Sequence, residues 1–128
     1  MSATPKPRPK YYDLNLAHLP PPGLVSILHR ISGAVLFFPI LPLLLLTLSN
    51  VTGSEESFAL ARAHLTHPFM KLVLVGCAWL YAHHFFAGLR YLLLDIHVGI
   101  EKVSARTSAY VVLVLGALVA IFVAVEIL

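Results

Sequence analysis

The stretch LVSILHRISGAVLFFPILPLLLLTL, residues 24–48, decides the fold. It exceeds the roughly 20 helical residues needed to cross a hydrocarbon core, and it carries no acidic side chain. Two more apolar stretches of spanning length follow, at about 68–94 and 107–128. The sequence therefore predicts an all-α membrane protein of three transmembrane helices, with an extended N-terminal arm over 1–23 and a helical domain over 24–128. A chain that is 59% hydrophobic and 12% charged is not a water-soluble domain. The first apolar run is too long for a signal-peptide core and no small-residue cleavage site follows it, so all three runs are read as retained spans.

The net charge of +3 does not point to nucleic acid, because the basic residues follow membrane topology. Lys6, Arg8, Lys10 and Arg30 lie at or before the first span, and Arg90, Lys102 and Arg106 border the second loop. Only Arg62 and Lys71 fall on the other side. This bias puts the N-terminus and the second loop in the cytoplasm and the C-terminus outside. Cys77 is the single cysteine, so an intrachain disulfide is impossible.

Within the arm, Pro20-Pro21-Pro22 disfavours helix in the residues before it, which sets the first helix to start near Gly23 or Leu24. Pro39 and Pro42 predict a kink in that span. Residues 58–66 read as a short interfacial helix, and Pro68 suits the first turn of the second span. The third span carries no ionisable group until Glu126 and reads as packing and lipid contact.

The ionisable residues inside the spans need a reason, since Arg or Asp at a helix centre costs about 2.5 to 3.5 kcal/mol. Gly76, Leu80, His84 and Gly88 recur every four residues and share a helix face, where small residues would let a flat group approach. His84 then either hydrogen-bonds to a neighbouring helix or presents a nitrogen to a haem iron. His83 lies about 100° away around the helix and is off that face. His29, counted from Leu24, is shallower than His84 by more than a turn, so it suits the edge of a haem better than its iron. The second axial ligand must then come from another polypeptide. Arg30 either snorkels to headgroups or, with Ser26 one turn away, donates to a quinone, whose carbonyls accept hydrogen bonds. Arg90 and Asp95 are expected to form an ion pair at the end of the second span. His18, His64, His67 and His97 show no metal-ligand spacing and are assigned to surface or interface.

The 26–33 motif Ser-Ile-Leu-His-Arg-Ile-Ser-Gly and the motif His84-x-x-x-Gly88-x-Arg90 closing on Asp95, on successive spans behind an Arg8-Pro9 arm, resemble the cytochrome b membrane-anchor subunits of succinate dehydrogenase, respiratory complex II. The resemblance covers essentially the whole chain. It implies that His84 is an axial ligand of haem b, that a second small anchor subunit supplies the other histidine, and that His29 and Arg30 lie near the propionates. Ser26 and Arg30 would line a ubiquinone site facing an iron–sulfur subunit, with a flavoprotein beyond it. Tyr91 stands where many members have a histidine, so a propionate contact there is lost or taken by the phenol. The expectation is an electron-transfer anchor subunit in a bacterial inner membrane, not catalytic alone; the competing reading is a non-redox adaptor or small transporter subunit whose polar residues only join helices.

Overall fold

The computed structural model describes residues 18–128; the arm expected over 1–23 lies largely outside the described residues. The first helix, α1 (Pro21–Val35), begins earlier than the proline run led us to expect. Pro20 takes the extended conformation demanded by a following proline (φ −63°, ψ 151°), while Pro21 and Pro22 occupy the first turn, where no N–H is required.

The kink expected at Pro39 takes the form of a π-turn, Leu36–Ile40, which joins α1 to α2 (Leu41–Gly53). Pro39 cannot donate a hydrogen bond, and its ring would strike the carbonyl four residues back. The wider turn relieves this, with the Leu41 N–H reaching the Leu36 carbonyl. The short helix expected over 58–66 is α3 (Glu55–Thr66), three residues longer at its start because of a reciprocal cap: Ser57 N–H donates to Ser54 Oγ (3.1 Å) and Ser54 N–H to Ser57 Oγ (2.9 Å). Glu55 and Glu56 in its first turn complement the helix dipole.

Helix α4 (Pro68–Asp95) ends in a Schellman arrangement, with Val98 N–H on the Leu93 carbonyl (2.9 Å) and His97 N–H on that of Leu94 (3.0 Å). His97 sits at φ +63° to make this turn, so its place in the loop is conformational. Helix α5 (Lys102–Ile127) returns along α4. Three helical stretches, Pro21–Gly53, Pro68–Asp95 and Lys102–Ile127, are long and apolar enough to cross a membrane. The described residues form no strand.

Contacts between helices use small residues, which allow close approach where lipid removes the hydrophobic drive to associate. Val25 of α1, Ala87 of α4, and Ala109 and Val112 of α5 form the core. A Cβ on Gly116 of α5 would stand 3.5 Å from His83 Cα, so the two backbones nearly touch there. Most large apolar side chains instead face outward, Phe37, Phe38 and Phe122 among them, as a membrane surface requires.

Candidate functional site

His84 of α4 meets α1 between His29 and Gly33. Its Nδ1 is 3.2 Å from the His29 carbonyl oxygen and 3.2 Å from Ser32 Oγ, and Ser32 Oγ itself donates to the His29 carbonyl (3.0 Å). A carbonyl only accepts, and the serine's one proton is already committed to it. The proton therefore resides on His84 Nδ1, donated to both oxygens, and Nε2 keeps a free lone pair. Ser32 is 1% exposed, so nothing from solvent competes for this arrangement.

Gly33 makes the approach possible. A Cβ there would stand 2.8 Å from His84 Cε1 and 3.3 Å from Nδ1, closer than side chains tolerate. The expected glycine face of α4 works differently. Gly76 has nothing within 4 Å of a notional Cβ, and the space beside Gly88 is taken by His29 Nε2 at 3.7 Å. The small residue that admits His84 thus comes from the opposing helix.

The expected difference in depth between His29 and His84 is absent. Their rings stack with centroids 4.3 Å apart and planes 17° from parallel. Starting the helix at Pro21 puts His29 about 12 Å from that end, against about 16 Å for His84 from Asp95, a gap that side chains close. The stacking nevertheless prevents the pair from bracketing one metal, because imidazole lone pairs lie in the ring plane and rings stacked face to face cannot aim them at a point between them.

Beyond His84 opens a groove of ≈ 1170 Å³ between the first span, α3 and α4. Gly33 and His84 line one end and Thr47, Asn50 and His64 the other; the walls between them are apolar, with Leu36, Ile40 and Cys77 among them. Among the described residues no three metal-ligating side chains converge.

Ser26 is half-buried and Arg30 exposed, four residues apart on α1, and neither bonds to the His84 cluster. Arg90 does not pair with Asp95. Its Nε donates to Ser108 Oγ (3.0 Å) and its Nη2 to the Ala105 carbonyl (3.2 Å), clamping α4 to α5, while Asp95 is exposed. Asp95 lies five residues on, about 140° around the helix at 100° per residue, and so points elsewhere. Tyr91 tilts against His29, centroids 5.2 Å apart, with its hydroxyl buried and unbonded. His83 is wholly buried against Trp79 and Gly116 with no hydrogen bond to either ring nitrogen, so it does not line the groove.

The fold and the site together define, as a class, an all-α membrane protein with an oriented histidine beside an apolar groove. Residues 4–124 match the model of the succinate dehydrogenase/fumarate reductase transmembrane subunit family. The chain is also 38% identical over 110 residues to the succinate dehydrogenase cytochrome b556 subunit of Coxiella burnetii, covering 85% of this chain and 87% of that protein. The chain belongs to the succinate dehydrogenase/fumarate reductase membrane-anchor family, and its general role is that of a membrane subunit in electron transport.

Proposed function

We propose that this chain is the haem b-carrying anchor subunit of a succinate:ubiquinone oxidoreductase, binding the flavoprotein and iron–sulfur subunits to the cytoplasmic face of a bacterial inner membrane. The observation that carries the reading is His84: one nitrogen is fixed by Ser32 and the His29 carbonyl, and the other is free at the end of a groove large enough for a macrocycle. A lone histidine suits an iron already held by a porphyrin, with the remaining axial histidine supplied by a second small anchor subunit. When bound, haem b supplies a one-electron acceptor.

The chain's own residues supply orientation. Ser32 and the His29 carbonyl hold the His84 ring in one orientation and one tautomer, with the Nε2 lone pair left to donate. Arg30 and His29 do not line the groove; on the turn of α1 beside His84, they would hold the propionates of a bound haem. Ser26 and Arg30, one turn apart near the cytoplasmic end of α1, orient a ubiquinone carbonyl, and the guanidinium stabilises the negative charge that reduction places on it.

Two outcomes follow. Ser32→Ala removes one acceptor from the His84 N–H, so the haem midpoint potential rises by up to about 40 mV, equivalent to the ~1 kcal/mol of a single hydrogen bond; redox titration of the assembled complex measures it. Ser26→Ala or Arg30→Ala slows succinate-driven quinone reduction about tenfold or more while leaving succinate oxidation by an artificial dye near wild type. Equal loss in both assays would instead mean that the complex fails to assemble.

A further inference from the structure

A second groove, of ≈ 450 Å³, runs between α4 and α5 and includes neither His84 nor the Ser26–Arg30 turn. Arg90 lines it and is only 6% exposed. Among the described residues every partner of this guanidinium is neutral: Ser108 Oγ, the Ala105 carbonyl and the face of Tyr91, 5.3 Å from Cζ. Two of its five N–H donors are used in those hydrogen bonds. Asp95 and Glu101 are exposed at the same end of the bundle and pair with it in no ion bridge. A desolvated cation with spare donors and no counter-charge is costly at membrane depth unless an anion reaches it.

The rest of the groove describes that anion. Ser104, Thr107 and Ser108 bring hydroxyls to the end that holds Arg90; Thr107 and Ser108 donate theirs to the Val103 and Ala105 carbonyls (3.1 and 3.2 Å), which leaves Ser104 to donate to a ligand. Lys102 and Arg106 stand exposed in the first turns of α5, whose N-terminus has no side-chain cap, so the local field favours negative charge. Away from this end the lining becomes aliphatic, with Leu93, Val111 and Leu115. From Ser104 to Leu115 the helix rises about 16 Å, close to the roughly 15 Å of one leaflet's hydrocarbon. An anion attached to an apolar tail one leaflet long is an anionic phospholipid. The arm preceding α1 carries Lys6, Arg8 and Lys10 against the single acidic residue Asp13, so its net charge has the same sign as Arg90.

We propose that the α4–α5 groove binds an anionic phospholipid, its phosphate held by Arg90 with Ser104 and one acyl chain laid over Leu93, Val111 and Leu115. Basic pockets between transmembrane helices near a membrane surface are suited to such headgroups. The site needs no haem and no quinone, so it stands independently of the role proposed for His84.

The assembled complex, reconstituted in phosphatidylcholine nanodiscs containing phosphatidylglycerol and then analysed by native mass spectrometry, tests this. Phosphatidylglycerol adducts should be retained over phosphatidylcholine adducts by about tenfold, the order expected of one charge-assisted contact. Arg90→Gln should remove that preference. Thr107→Trp, which fills the groove and leaves the Arg90 hydrogen bonds alone, should remove it too and decides the matter if Arg90→Gln does not assemble. Equal retention of both lipids, or a preference unchanged by Thr107→Trp, overturns the proposal. A photoreactive residue in place of Val111 should crosslink to lipid; a crosslink to another polypeptide also overturns it.

Discussion

Replacing His84 by alanine will abolish the low-spin b-type haem spectrum of the assembled complex. The ring supplies a nitrogen whose lone pair is freed by hydrogen bonds at the other nitrogen, 3.2 Å from the His29 carbonyl and 3.2 Å from Ser32 Oγ. His29 does not substitute, because it does not line the groove: its ring stacks on that of His84 at 4.3 Å and its Nε2 lies against Gly88. His83 cannot substitute either, being enclosed between Trp79 and the Gly116 backbone. Loss of an outer-shell partner alone weakens metal binding by about 10- to 100-fold, so loss of the ligand should exceed the upper figure. Haem content per complex and the reduced-minus-oxidised spectrum read the effect, and an unchanged low-spin signal would assign the ligand elsewhere.

Gly33→Ala will be nearly as damaging, although it adds one methyl group and improves helix propensity. That methyl would lie 2.8 Å from His84 Cε1, so either the ring turns away from the groove or α1 and α4 separate. Overpacking of this kind costs about 1 to 3 kcal/mol, more than the up to ~1 kcal/mol gained by replacing glycine in a helix. Two other glycines calibrate the result. Gly116→Ala meets His83 at an ordinary 3.5 Å and Gly76→Ala meets nothing, so both should keep full haem content and match or exceed the wild-type thermal midpoint. A flat group lodged against the Gly76 face would reverse this order, with Gly76→Ala losing haem and Gly33→Ala keeping it.

These expectations separate what the sequence made legible from what it hid. The spans were legible because apolar length is a local property, and His84 because a histidine so deep in lipid stands out against its neighbours. Pro39 announced a distortion, but its form as a π-turn depended on which carbonyl the next free N–H could reach. Gly33 was present in the quoted motif without a role, since its partner is 51 positions away on another helix and no periodicity links them. The depth assigned to His29 failed because Pro21 and Pro22 were read as barriers before the helix when they form its first turn. Arg90 was paired with the nearest carboxylate along the chain, whereas its partners, Ser108 and the Ala105 carbonyl, lie on a helix that packs beside it only after the Schellman turn at His97. For Gly33 and Arg90 the missing quantity was an interhelical contact.

In the function proposed above, this chain contributes one half of a haem b site and a partner subunit the other. Near-infrared magnetic circular dichroism of the oxidised, purified complex tests it most directly, because that spectrum distinguishes axial ligand pairs. The bis-histidine signature should be present when this chain is co-expressed with its partner anchor subunit and absent when it is expressed alone. A complex without b-type haem, or a bis-histidine haem formed by this chain by itself, would contradict it.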